Sequence, residues 1–257
     1  MLQIKSKREL DLMRESGRLV SEILSKLATQ VAPGVSLEQL DAEAERLTRE
    51  AGAMPAFKGY LGYRHTLCTS VNEQVVHGIP GPRVLKDGDI LGLDFGLVLQ
   101  GYYGDSAVTL PVGRISAVAH RLLSVTRDSL YAAIEASRPG NTLKDVARAV
   151  ESTVRPHGYG VVRDFVGHGI GQKLHEDPQV PNYEDGASSL VLRPGMTIAI
   201  EPMINEGTPE VRVLADRWTA VTKDGKLSAH FEHTIAISEG APEVLTEWTS
   251  GRLGDFA

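Results

Sequence analysis

Apolar positions recur at helical spacing over residues 7–30, where Leu10, Met13, Val20, Ile23, Leu24 and Leu27 share one face. The preceding Ser6-x-x-Glu9 is a capping box, so an amphipathic helix is predicted to open there and to stop near Pro33-Gly34. A second helix is predicted from Ser36-Leu37 to about Gly52. The pattern then returns: a helix over 117–137 ends at Pro139-Gly140, and another runs from Thr142-Leu143 to about Gly158.

The return extends to the strands. Lys86-Asp87-Gly88-Asp89-Ile90-Leu91-Gly92-Leu93-Asp94 matches Arg193-Pro194-Gly195-Met196-Thr197-Ile198-Ala199-Ile200-Glu201 in pattern. Pro33 and Pro139 lie 106 positions apart, and Asp94 and Glu201 lie 107 apart, so one register accounts for helices and strands alike. A single domain over 1–257 is expected, with two pseudo-symmetric halves at roughly 7–112 and 113–245, each supplying an acid across a pseudo-twofold axis.

Runs 90–99 and 102–110 flank Gln100-Gly101, a hairpin signal that can bring Asp94 and Asp105 to one face. Further strands are predicted over Arg212–Val221 and Ser228–Ile237, around the turn Lys223-Asp224-Gly225-Lys226, the second of them delivering Glu232. Helices packed on one face of a curved antiparallel sheet make the fold class α+β.

With 257 residues and 42% hydrophobic content, the chain can bury a sizeable core. A net charge of −6 and the lack of any Lys/Arg run argue against nucleic acid or a membrane surface as partner. Cys68, the single cysteine, cannot form an internal disulfide. No stretch resembles a signal peptide or has transmembrane length, so a soluble, reducing, cytoplasmic setting is expected.

Against that background five residues stand out. Asp94 ends the run Ile90–Leu93, Glu201 ends Met196–Ile200, Glu232 precedes Thr234–Ile237, and Asp105 and His168 sit in Gly-rich segments. An ionised carboxylate in a buried strand is costly unless paired or coordinated. Four of them in one pocket would repel and take up protons, whereas two divalent cations cancel the charge. Oxygen ligands with one imidazole suit Mn, Fe, Co or Zn, and paired metals are a recurrent hydrolase arrangement. No His-Glu-x-x-His helix and no Gly-x-Ser-x-Gly elbow occurs. Gly167-His168-Gly169-Ile170-Gly171 lacks dinucleotide spacing; its glycines are expected to let the backbone approach the metal site.

The set Asn72–Pro80, Leu93-Asp94-Phe95-Gly96, Gly104-Asp105-Ser106-Ala107, Gly167–Gly171, His175-Glu176-Asp177-Pro178, Ile200-Glu201-Pro202-Met203 and Phe231-Glu232-His233-Thr234 resembles the type I methionine aminopeptidases over essentially the whole chain. The resemblance implies the pita-bread fold and a dinuclear site. Asp94, Asp105 and Glu232 would bridge or chelate the two divalent metal ions (Co, Mn, Fe or Zn), with His168 on one and Glu201 a ligand near the nucleophile. It implies attack by a metal-bridging hydroxide on the first peptide bond, Glu201 serving as proton shuttle. His175 would hydrogen-bond the scissile carbonyl oxygen or the developing oxyanion, and His77 the substrate near the leaving amide. Tyr60, Tyr63, Cys68, His77 and Trp218 would line the methionine slot, with Phe57 and Leu174 beside them. Phe57 stands where the family commonly has a smaller residue, and Leu174 where it commonly has an aromatic.

The implied substrates are N-terminal peptides of nascent proteins at the ribosome exit, met by a monomer. Two rivals share the fold. An Xaa-Pro peptidase would carry the same ligands, usually behind a large N-terminal domain, but only about 90 residues precede Asp94 here. A non-catalytic peptide-binding module is expected to have lost ligands, and all five are present.

Overall fold

A computed structural model describes residues 3–248; the ends of the predicted 1–257 domain lie outside the described residues. In chain order the elements are α1 (Lys7–Ala28), α2 (Leu37–Glu50), β1 (Met54–Pro55), β2 (Leu67–Val71), β3 (Gln74–Val76), β4 (Ile90–Leu99) and β5 (Tyr102–Pro111). Then follow α3 (Ala117–Ala136), α4 (Leu143–Val154), β6 (Gly160–Val161), β7 (Gly167–Gly169), β8 (Glu176–Val180), β9 (Thr197–Ile200) and β10 (Met203–Asn205). The last are β11 (Val211–Val213), β12 (Ala220–Thr222), β13 (Ser228–His230), β14 (His233–Ala236) and β15 (Glu243–Val244).

All four predicted helices form, within a few residues of their expected ends. The Ser6 hydroxyl accepts from the Glu9 N–H while the Glu9 carboxylate accepts the Ser6 N–H, and Ser36/Gln39 and Thr142/Asp145 repeat the device. Each cap of this kind contributes about 1 kcal/mol. The sequence repeat is visible in the backbone as well. Gly34 donates to the Leu85 carbonyl at 2.9 Å and Gly140 to that of Leu192 at 3.0 Å; Leu37 donates to Arg83 at 3.0 Å and Leu143 to Leu190 at 3.1 Å.

Gln100 and Gly101, with φ of 52° and 84°, make the expected two-residue turn, and β4 and β5 pair without interruption from Leu99↔Tyr102 to Ile90↔Pro111. Strand alternation then sorts the side chains. Leu91, Leu93, Phe95 and Leu97 are fully buried in one core with Leu24 and Leu27 of α1, Leu40 of α2, Leu122 and Leu130 of α3 and Val146 and Val150 of α4. The other face of β4 carries Gly92, Asp94 and Gly96. Likewise Ile198 and Ile200 of β9 and Ile235 of β14 enter the core, which leaves Glu201 and Thr234 to the opposite side.

The strands differ from expectation in three ways. Among the described residues they pair antiparallel throughout, but as four sheets rather than one. The run Arg212–Val221 is two short strands, β11 and β12, because Asp216 Oδ1 accepts the N–H groups of Trp218 and Thr219 at 2.9 Å and Arg217 takes a positive φ, closing a turn. The run Ser228–Ile237 breaks at Phe231-Glu232, where the Glu232 N–H leaves its own sheet and donates to Ala107 on β5 at 2.8 Å.

That seam joins the early hairpin to the late strands. Thr109 Oγ1 donates to the His230 carbonyl and accepts the His230 N–H, at 2.9 and 2.8 Å, and the Ser106 hydroxyl donates to the Glu232 carbonyl at 2.7 Å. The acids sit beside it. Among the described residues no helix is long and apolar enough to cross a membrane.

Candidate metal and peptide site

Asp94 lies opposite Ala107 and Asp105 opposite Gly96, so the two carboxylates project diagonally from one face of the β4–β5 hairpin. The flanking strand β2 sets Cys68 directly across from Asp94. β7 brings His168 opposite Ala199 of β9, two residues before Glu201, and the β13–β14 break delivers Glu232. Ligand atoms of Asp105, His168 and Glu232 all lie within 4.8 Å of one another. Asp94 and Glu201 line the same cavity, and Glu201 Oε1 is 3.6 Å from His168 Nε2.

The cluster is ill-suited to standing alone. Asp94 Oδ1, Asp105 Oδ1 and Glu232 Oε1 are buried and meet no hydrogen-bond donor. Burial pushes the Asp94 carboxyl up to about 7, and burial together with the neighbouring acids drives Asp105, Glu201 and Glu232 well above the usual carboxylate range. Orphaned carboxylate oxygens converging on one imidazole fit hard or borderline divalent ions. The His168 tautomer fits too: Nδ1 lies 2.9 Å from the Gly169 carbonyl, so its proton is held there and the Nε2 lone pair faces the acids. Burial holds this ring near 3, hence neutral and able to ligate.

The glycines around His168 act differently from expectation. A methyl group on Gly167 would meet the Ala199 carbonyl at 2.3 Å, and one on Gly169 the Asp177 carbonyl at 2.2 Å. They let β7 lie tightly between β8 and β9; the close approach is strand to strand, and it fixes where His168 stands.

The cavity, of about 180 Å³, continues from the acids into an apolar slot. Phe57, Tyr63, Cys68 and Leu174 are buried in its wall, with Tyr60 and Trp218 packed against them. Trp218 meets Tyr63 edge-on at 4.9 Å between ring centroids, and the Tyr63 hydroxyl is turned away, donating to the Leu67 and Gly78 carbonyls. Burial and the nearby Asp94 keep the Cys68 thiol protonated, which suits a wall and not a nucleophile.

Two histidines border the slot. His77 adopts a left-handed backbone, φ 59°, and stands edge-on to Phe165 and Trp218; burial and His175 lower it to about 4. Strain of this kind, about 1–3 kcal/mol, concentrates at functional positions. His175 stands at the exposed mouth, 4.2 Å from His168 between ring centroids, its Nδ1 2.7 Å from the Tyr60 hydroxyl. The thirteen residues singled out from sequence therefore gather around one cavity.

Sequence reading missed four others. Leu61, with φ 48°, lines the cavity rim. Thr234 holds the Asp105 backbone, and the Asn182 amide donates to the Glu201 carbonyl at 3.1 Å. His230, buried, places Nε2 3.8 Å from Glu201 Oε2 with no hydrogen-bond partner. Thr234 was within reach of sequence, standing two residues after Glu232 on its strand; the other three show only in the assembled fold.

Residues 11–239 match metallopeptidase family M24. Methionine aminopeptidase 1 of Bacillus subtilis (strain 168) is 51% identical over 246 residues, covering 96% of this chain and 99% of that protein. The crystal structure of methionine aminopeptidase from Thermotoga maritima superposes with a TM-score of 0.93 at 46% identity, covering 96% of this chain and 99% of that one. The prolidase of Pyrococcus horikoshii OT3 shares the fold alone, with a TM-score of 0.77 at 23% identity, and this chain covers 63% of it. Family match and near-full-length relatives together make the chain a member of the methionine aminopeptidases of metallopeptidase family M24.

Proposed function

We propose that the protein removes the N-terminal methionine of peptides and newly made proteins by metal-dependent hydrolysis. One observation carries the reading: orphaned buried carboxylates and a neutral imidazole form one end of a cavity whose other end is an apolar, aromatic slot of side-chain size. Asp94, Asp105, His168, Glu201 and Glu232 would hold two divalent ions, Co, Mn, Fe or Zn, whose four positive charges offset the four carboxylates. When bound, such ions polarise a carbonyl and lower the pKa of water.

The remaining work falls to the chain. Glu201, beside His168, takes the proton of the attacking water and returns it to the leaving amine. His175 donates to the carbonyl oxygen as charge develops there, and His77 holds the peptide near the leaving amide. Phe57, Tyr63, Cys68, Leu174 and Trp218 take the methionine side chain, a polarizable thioether among aromatic and sulfur surfaces. We read the protein as one catalytic domain of two similar halves, acting as a monomer in the cytoplasm on chains emerging from the ribosome.

Release of methionine from Met-Ala-Ser, against a Gly-Pro-Ala control, by metal-stripped protein re-supplied with one metal at a time tests the reading. Metal-dependent cleavage of the methionyl peptide alone is expected. Cleavage of the control instead would assign an Xaa-Pro peptidase, and cleavage of neither a binding module.

A further inference from the structure

The contact between Tyr60 and His175 crosses the mouth of the cavity. Tyr60 sits in a turn that a plain chain would not make: Gly59, Leu61 and Gly62 all have positive φ, at 96°, 48° and 90°. The turn is nonetheless pinned, with Gly59 donating to the Tyr63 carbonyl at 2.7 Å, Tyr60 to Phe57 at 2.9 Å and Tyr63 to Tyr60 at 2.9 Å. Its product is a half-buried phenol whose oxygen lies 2.7 Å from His175 Nδ1, the rings tilted by 44° at 5.2 Å. His175 itself immediately precedes β8, 115 positions away in sequence.

In a neutral imidazole one nitrogen donates and the other accepts. Nδ1 is taken by Tyr60, so Nε2, on the far edge of the ring, is the nitrogen left for whatever enters the cavity. That cavity holds Asp94, Asp105, Glu201 and Glu232. A carbonyl oxygen that gains negative charge beside them calls for an N–H, not a lone pair, on the ring edge that faces it. The two conditions are met together when the Tyr60 hydroxyl donates to Nδ1 and the His175 proton resides on Nε2.

We propose that Tyr60 is a positioning residue that fixes the tautomer of His175, holding Nε2–H toward the cavity as the donor for the substrate carbonyl. This rests on the role given above to His175 and adds a second one to Tyr60 beyond lining the slot. Without the phenol, the Nδ1–H form becomes accessible, and that form presents a lone pair to an oxygen bearing negative charge.

Nitrogen NMR of ring-labelled histidine in the full-length chain loaded with zinc tests it, the His175 signals being assigned by their loss in His175→Ala. A protonated Nε2 and unprotonated Nδ1 are expected in the wild type, and a mixture of tautomers in Tyr60→Phe, which keeps the ring and loses the hydroxyl. With Met-Ala-Ser, Tyr60→Phe should lower kcat about tenfold or more with KM nearly unchanged, as fits a contact that matters in the transition state. A wild-type Nδ1–H tautomer, or an unchanged tautomer and kcat in Tyr60→Phe, overturns the proposal. Full turnover by His175→Ala would instead remove the catalytic role of His175 itself, a separate failure that the NMR signals do not share.

Discussion

The Thr234 hydroxyl donates to the Asp105 carbonyl at 2.8 Å and accepts the Asp105 N–H at 3.2 Å, closing both backbone groups of a proposed metal ligand from a strand 129 positions away. Thr234→Val keeps the shape and removes both bonds. Leaving buried backbone groups unmet costs about 1–3 kcal/mol each. Outer partners of this kind typically carry about 10–100-fold in metal affinity. Titration of metal-stripped protein with Mn should show a loss in that range, with the secondary structure retained; an unchanged affinity would show that Asp105 needs no such support.

The seam that Thr234 belongs to also shows where sequence stops being informative. The acids were legible because a carboxylate in an apolar run is costly wherever the strand ends up, and the helices because their caps and periodicity are local. The breaks at Phe231-Glu232 and within Arg212–Val221 were not read. The first depends on an Ala107 carbonyl far away in sequence. The second has a local cause, the Asp216 turn, which the strand-like pattern on either side masks. His230 and Asn182 sit in runs that look like ordinary strand and loop; the pairing of β13 with β10 brings His230 to Glu201, and the order β9-β7-β8 brings Asn182, just after β8, to the same acid.

Glu201→Gln separates stability from activity. It replaces a buried carboxyl, which without metal is either repelled by its neighbours or takes up a proton at a cost, with a neutral amide of the same size and shape. The metal-free variant should melt higher than the metal-free wild type, by roughly 2–4 °C for each kcal/mol of repulsion relieved. Its turnover of Met-Ala-Ser should fall by about 10²-fold or more, as for loss of a proton-transfer group. His168→Ala should likewise abolish turnover with the fold largely intact. Wild-type turnover in either variant would refute the ligand and shuttle roles.

The effect of pH follows from opposite shifts. The carboxyl of Asp94 is raised from 3.8 to about 7, so its share of metal-free stability is present below 3.8 and lost as pH rises through about 7. His168 and His230 are lowered by burial from 6.5 to about 3; their share is present above 6.5 and lost as pH falls through about 3. Divalent ions require ionised acids and a neutral His168, so the gain in Tm on adding Mn should grow as pH rises from 5 through about 7. Affinity should rise about tenfold per pH unit for each proton displaced. Paired melts with and without Mn across that range measure it. A gain that is flat or that grows toward acid would mean the buried acids are not what Mn meets.

Slot shape is set in part by Phe57, 9% exposed, whose ring packs with Tyr63, Cys68 and Leu174 and lies 3.0 Å from where a methyl on Gly96 would be. Because Gly96 is the cross-strand partner of Asp105, the same ring borders both slot and acid cluster. Phe57→Ala should open the slot at a stability cost below the roughly 3–5 kcal/mol of a fully enclosed phenylalanine, since one side faces the cavity. A methionine side chain loses a wall, while a first residue too bulky for the native slot gains room. The ratio of kcat/KM for Met-Ala-Ser to that for Phe-Ala-Ser should therefore drop by about tenfold or more, in keeping with a loss of roughly 1–3 kcal/mol of discrimination in an apolar pocket. An unchanged ratio, with metal affinity also unchanged, would place the selecting wall elsewhere, at Trp218 and Tyr63.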